Sequence, residues 1–334
     1  MTAWIIEDHG AQGLAPLCDL RATFEQRTGG LTTLERLTKQ MGCSPSGFIC
    51  EDESRAEMIS NRTGLARVTD VDASDVDHPQ IETPWAVLDN LPALLMHDLE
   101  NADPLEGTCE VATYGDHRID IHPSATLLPG VVLDASRGAI RIEEGVVIHP
   151  NAVLIGPCWI GKDSRVYEHA LVKSNSAIGP HCKIGGEIGG TVFQAYSTKC
   201  HAGHLGDSVI GEWVNFGAGT TNSNLLNTYG DVVVTDLEGS HHRTGRQFVG
   251  CFVGDHVKFA IETRIMTGTF VGTGAMIATT QLTPSPTPRF AWLTDNGKRT
   301  YRIDKFMDVA RVVMARRDIE LDATTEAVLR QLAG

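Results

Sequence analysis

The sequence contains no apolar run approaching the ~20 residues that a membrane-spanning helix needs. Its opening MTAWIIEDHG has no basic stretch followed by a long apolar one, so no signal peptide is expected either. Basic charge is in short supply. Lys and Arg number 28 against 42 Asp and Glu, a net charge of −14. That balance excludes nucleic acid and anionic membrane surfaces as general partners, while leaving room for a local basic pocket. There are eight Cys but no CxxC pair, which argues against zinc and for buried thiols in a reducing cytoplasm. What is present is ordinary in bulk: 334 residues, enough for two domains, with 42% hydrophobic content.

The patterning is not ordinary. From Ile142 an aliphatic residue falls on every sixth position: Ile142, Ile148, Leu154, Ile160, Val166, Val172, Ile178 and Ile184. Four residues after most of them comes a small one, as at Ala152, Cys158, Ser164, Ala170, Ser176 and Cys182. A step of six is neither the helical 3.6 nor an alternation of two. It is the hexapeptide period of a left-handed parallel β-helix, in which three hexads make a coil and stacked aliphatic residues fill the axis. The frame extends back to Ile121 and forward to Ile277. It slips near residues 186–205 and 222–247, which read as interruptions and therefore as places to look for chemistry.

The fold class is thus mainly β: a left-handed β-helix over 115–280, a small α/β unit over 1–105, and a C-terminal extension with one or two helices over 281–334. In the first unit, short strands are expected at Ala3–Ile6 and Gly47–Cys50. A helix is expected over Leu31–Met41 with Thr33 as its cap, and Pro92 should limit any helix in Trp85–Met96. The prolines at 284, 286 and 288 should stop the β-helix. Helices are then expected over Asp304–Arg317 and Ala323–Leu332.

The segment from Tyr196 holds H-A-G-H-L-G-D at 201–207, S-V-I-G at 208–211, E-W-V-N-F-G-A-G-T at 212–220 and S-N-L at 223–225. It resembles the acetyltransferase half of the bifunctional glucosamine-1-phosphate acetyltransferase/N-acetylglucosamine-1-phosphate uridylyltransferase family. There the corresponding run is H-L-x-Y-L-G-D, x-x-I-G, x-x-V-N-I-G-A-G-T and C-N-Y. The resemblance implies an acetyl-CoA-dependent N-acetyltransferase acting on an amino sugar, a sugar phosphate or a nucleotide sugar. It implies a homotrimer with sites between subunits. By this match His201 is the catalytic base, and a backbone N–H of Gly217, Ala218 or Gly219 serves the oxyanion. Asn215 and Asn224 then contact sugar and acyl group. An imidazole suits the task because an amino sugar is mostly ammonium at neutral pH and must lose a proton before attacking a thioester. The family's Tyr is His204 here, assigned to holding substrate. Its phosphate-binding Lys falls on Gly189 and its Arg near Leu171, leaving Lys173 and Lys199 as the available cations. Arg243, Arg246, Lys258 and Arg264 are expected near the acyl-CoA phosphates or the acceptor phosphate. No metal ligand set is expected.

A second resemblance lies at the start. Leu14, Pro16, Leu17, Arg21, Phe24, Arg27, Gly29, Thr32 and Arg36 look like the opening of sugar nucleotidyltransferases that carry the same β-helix. The loop after the first strand, E-D-H-G-A-Q-G at 7–13, lacks the spacing of a phosphate-binding G-x-G-T-R turn, so nucleotidyltransferase activity is not expected. The alternative readings are a nucleotidyltransferase-like protein or a catalytically inactive trimeric β-helix scaffold.

Overall fold

The computed structural model describes residues 4–69, 81–108 and 110–334. Most of the chain winds into a β-helix with three faces. Face I is an eight-stranded sheet from Ile119–Ile121 to Thr269–Val271. Face II has ten strands, from Thr126–Leu127 to Ala291–Thr294 and Gly297–Thr300. Face III has six, from Ala112–Tyr114 to His204–Gly206, and is carried on by the pair Thr221–Asn222 and Arg264–Ile265. Within the coils the pairing is parallel and in register. Cys158 to Ile160, for example, lie opposite Ile140 to Ile142 on one side and Ser176 to Ile178 on the other.

The axis is filled as the period requires. All eight aliphatic residues from Ile142 to Ile184 are fully buried, as are Ala152, Cys158, Ser164, Ser176 and Cys182. Higher up, Phe216 and Phe259 stack inside with ring centroids 4.9 Å apart.

Two of the expected breaks are not breaks. Between Ile184 and Phe216 the strands continue without a gap. The axial positions are taken by Ile188, Phe193, Lys199, Leu205 and Ile210, some reached by hexads shortened to four or five residues. The prolines at 284–288 likewise do not stop the helix. One further coil passes through them, bridging Arg264 to Leu282, Val271 to Thr287 and Ile277 to Leu293. The loop beyond Asn222 is a true excursion. It folds as an antiparallel hairpin, Val233–Thr235 against His241–Arg243.

The N-terminal unit pairs Ile5–Glu7 in parallel with Gly47–Ile49 and carries α1 (Thr33–Met41), α2 (Glu53–Thr63) and α3 (Pro84–Glu100). The cap of α1 is Thr32 rather than Thr33: its hydroxyl accepts from the Glu35 N–H while Glu35 reaches back to the Thr32 N–H. α3 runs straight through Pro92. Pro92 is solvent-exposed and stands at the edge of a buried face made by Val87, Leu88, Leu91, Leu95 and Leu99. That apolar face and Leu14 and Leu17 lie on outward side chains of face I: Trp159, Ala177, Val192, Val209, Phe252 and Phe270. The rest of the unit shares a core with α4 (Ile303–Ala315) and α5 (Ala323–Ala333).

The arginines of the N-terminal motif fasten this unit down. Arg21, wholly buried, is 2.6 Å from Asp255 and 3.6 Å from Glu212. Arg36 grips both carboxylate oxygens of Asp98 at 2.7 and 2.8 Å. Arg27 donates its N–H to Gln194 at 2.9 Å and its guanidinium to the Gly30 carbonyl. Gly30 is needed because a Cβ there would fall 2.2 Å from the Trp159 ring. Face I is therefore covered by the chain's own N-terminal unit.

Candidate functional site

The His201 segment is the corner where face II passes into face III, between strands Thr198–Lys199 and His204–Gly206. It is held from three sides. A Cβ on Gly186 would lie 2.8 Å from the His201 carbonyl. Gly203, at φ +119°, sits so close to the coil above that a Cβ would fall 2.1 Å from the Thr220 carbonyl. From inside comes Lys199. It stands opposite Ile184 on the axis, 1% exposed, and its ammonium donates to the carbonyls of His201 at 2.7 Å and Ala202 at 3.4 Å. A lysine stem fills the core while its head pins the corner. The sequence placed Lys199 among acceptor ligands; the structure turns it inward, away from that surface.

Burial pushes the Lys199 ammonium down to about 8. Between that value and the ordinary lysine range near 10.5, the unfolded chain holds a proton that the folded chain does not, so stability rises with pH across that window. The expected result is a urea midpoint that climbs less between pH 8 and pH 10 in Lys199→Met than in the wild type. Equal climbs in the two proteins would show that the amine is solvated.

The His201 side chain is exposed and its ring makes no hydrogen bond among the described residues. Beside it, face III presents a row of Leu171, Glu187 and His204 in register. Glu187 lies 3.5 Å from His204 Nδ1 and 3.3 Å from Lys173 Nζ. Over Gly206, where a Cβ would meet His204 Nε2 at 2.6 Å and Asn224 Nδ2 at 2.7 Å, these two side chains converge. Asn224 donates to Asp207 Oδ2 at 2.6 Å. Burial raises the Asp207 carboxyl above its ordinary value, and the Asn224 bond works against that rise. Lys173, His204 and Asn224 are therefore brought together with His201's corner. Glu187 was not singled out from sequence. Its signal is a register of sixteen to seventeen residues between rungs, invisible to a search for sixes.

The turn at 217–220 lies directly above the corner. The Gly217 N–H donates to the Phe259 carbonyl at 3.0 Å and is occupied by the ladder. The N–H groups of Ala218 and Gly219 meet no protein acceptor among the described residues. Gly219 holds φ +75°. Asn215 is exposed on face II, opposite Thr198 and Lys258.

Of the expected basic residues, Arg264 lies opposite Thr221 on face III and Lys258 opposite Asn215 on face II, both above the His201 corner. Lys258 is half-buried and donates to the Trp213 carbonyl, with its ammonium pushed down to about 8 by desolvation. Arg246 pairs with Asp89 of α3 at 2.8 Å. Arg264 donates to the Thr280 carbonyl, and Arg243 is exposed on the hairpin.

A cleft of about 660 Å³ lies elsewhere, between the 7–12 loop, Asp52, Arg55, Arg289 and α5. Its arginines are committed: Arg55 to Asp8, and Arg289 to Asp19 at 2.7 and 2.8 Å. No helix among the described residues is long and apolar enough to cross a membrane, and no cluster of metal-binding side chains is found among them.

Comparison with known proteins bears on the β-helix. The model for the bacterial transferase hexapeptide (six repeats) matches residues 139–174. A bifunctional sugar-1-phosphate nucleotidylyltransferase/acetyltransferase of Sulfurisphaera tokodaii is 34% identical over 146 residues, 41% of this chain and 36% of that protein. The bifunctional protein GlmU of Methanococcus maripaludis is 33% identical over 142 residues, 42% of this chain and 34% of that one. The match thus spans about a third of the length of these curated relatives. Among solved structures, the acetyltransferase domain of PglB from Neisseria gonorrhoeae is 11% identical over 89% of this chain and 98% of that one, with a TM-score of 0.24, too low to carry an argument. The chain carries the hexapeptide repeats of bacterial transferases and resembles the sugar-1-phosphate nucleotidylyltransferase/acetyltransferases.

Proposed function

We propose that the chain is an acyl-CoA-dependent N-acetyltransferase whose acceptor is an amine on a sugar, a sugar phosphate or a nucleotide sugar. The observation that carries this reading is the seating of the His201 corner beneath the 217–220 turn, with the Ala218 and Gly219 N–H groups unclaimed by protein. His201 takes a proton from the acceptor ammonium, and the freed amine attacks the thioester carbonyl. The tetrahedral oxyanion is met by the Ala218 or Gly219 N–H. Collapse breaks the C–S bond, forms the amide and releases coenzyme A as its thiol. His204, Asn224 and Lys173 hold the acceptor, and Asn215 contacts the acyl group.

The reading includes a homotrimer in the cytoplasm. Face I is covered from within, whereas faces II and III meet at His201, so a second copy laid along that edge would complete the groove. The nucleotidyltransferase reading is disfavoured because Arg21, Arg27 and Arg36 are buried anchors and Arg55 and Arg289 are paired. The test is a screen for coenzyme A release from acetyl-CoA across amino sugars, their phosphates and nucleotide sugars. Release dependent on an amino group is expected; no release with any amine rejects the proposal.

A further inference from the structure

The chain is acidic, yet one part of face II is not. Arg165 and Lys183 are neighbours on adjacent strands of that face. Arg316 caps the C-terminal end of α4, and Arg317 follows it, donating to the His181 carbonyl at 3.4 Å. His181 is two residues before Lys183, so the contact of Arg317 brings it and the adjacent Arg316 to the Arg165–Lys183 pair, and burial together with the charges of these arginines lowers the Lys183 ammonium. None of the four pairs with a carboxylate among the described residues. Of the nearby carboxylates, Asp163 faces His181 at 3.8 Å and Glu144 faces Lys162 at 2.7 Å, while Asp318, next to Arg317, is exposed and forms no ion pair among the described residues. Elsewhere on the molecule Arg21, Arg36, Arg55, Arg62 and Arg289 all have acidic partners. Like charges gathered from two separate elements, without counter-charge, repel one another and are relieved by an anion.

We infer that Arg165, Lys183, Arg316 and Arg317 form the seat for the phosphates of a ligand carrying a nucleoside diphosphate, whose reactive end reaches His201. The inference rests on the acyltransfer reading for its second half only. Lys183 lies opposite Thr198, three residues before His201. The seat thus lies on the rung below the strand Thr198–Lys199 that leads into the base's corner. Between them face II offers Tyr167, Thr198 and Cys200. Coenzyme A and a nucleotide sugar both present a diphosphate on a nucleoside. The geometry favours coenzyme A, because its pantetheine arm spans such a gap while the acceptor cluster occupies face III.

The test uses the intact chain and two double variants, Arg165→Gln/Lys183→Gln and Arg316→Gln/Arg317→Gln. Calorimetric titrations with coenzyme A and with a uridine diphosphate sugar are run at low and moderate salt. Binding of at least one ligand is expected to weaken tenfold or more in each variant, with a shallower salt dependence and an unchanged melting midpoint. Loss confined to coenzyme A assigns the seat to the donor; loss confined to the nucleotide sugar assigns it to the acceptor. Where coenzyme A is the ligand, turnover with S-acetylpantetheine, which lacks the phosphates, should be the same in all three proteins. Failure of the wild type to bind either ligand, or equal affinity in wild type and variants, overturns the seat. Loss of diphosphate binding in a protein that releases no thiol with any amine would leave the seat standing and remove the acyltransfer reading instead.

Discussion

His201→Ala is expected to lower turnover on the best acceptor by roughly 10²–10⁴, the range for loss of a positioned general base. Stability should hardly change. The imidazole is exposed, hydrogen-bonded to nothing among the described residues and outside the axial column, and the corner is held by Lys199, Gly186 and Gly203, not by the ring. Donor affinity should also survive, since no part of the ring is needed to hold phosphates. His204→Ala should act differently. With its ring over Gly206 and 3.5 Å from Glu187, it should raise the acceptor Michaelis constant more than it lowers turnover. Steady-state rates with saturating acetyl-CoA separate the two. Equal turnover in wild type and His201→Ala would sink the assignment.

The largest effect on stability is expected at Arg21→Met. Arg21 is fully buried, and its partner Asp255 is 1% exposed. Burial pushes the Asp255 carboxyl up, to about 6, against the pull of Arg21. Removing the guanidinium leaves Asp255 and Glu212 with one cation fewer, and Arg62 alone, 3.1 Å from Glu212, cannot reach both. Breaking a buried pair from one side typically costs about 3–5 kcal/mol, because the remaining charge is stranded. The loss should appear in the denaturant midpoint and in early release of the N-terminal unit, followed by Trp4 fluorescence. Converting both partners, as Arg21→Met/Asp255→Leu, should recover much of the loss. A single variant as stable as the wild type would mean that water reaches the cluster.

The β-helix was legible because its cause is local. A side chain that must point to a narrow axis every sixth residue writes itself into the sequence, and from Ile142 to Ile184 it did so without exception. The reading failed where the axis accepted something other than an aliphatic residue. Lys199 looked like a loop residue because nothing in a sequence says that an ammonium will leave the core through a neighbouring turn. Pro92 and the prolines after Thr283 misled for a related reason. Pro92, Pro284 and Pro288 are exposed and Pro286 is half-buried, a property of position that the sequence does not reveal. His204 and Asn224 stand in the motif segment and Lys173 is the cation nearest the family's missing Arg, but the placing of Glu187 between Lys173 and His204 depends on rung-to-rung register, which shortened hexads obscure. Of the cations expected near the phosphates, only some are free to meet a ligand. Charge on a list does not reveal which arginines already have partners, and Arg246 did.

The fastening of the chain's beginning to its end has a consequence for how the protein is made. Asp19 accepts from Arg289 and from Thr273, and Arg21 meets Asp255, contacts separated by 270, 254 and 234 residues. A ribosome adding about 5–20 residues per second delivers Arg289 roughly ten seconds to a minute after Asp19. The coils can stack rung upon rung as they emerge, each on the one before. The first forty residues cannot, because the surface they belong to has yet to be translated. Phe24 can meet Phe48 early, but Leu14 and Leu17 must wait for the rungs that carry Val192, Val209 and Phe252, an interval in which a holdase would find them.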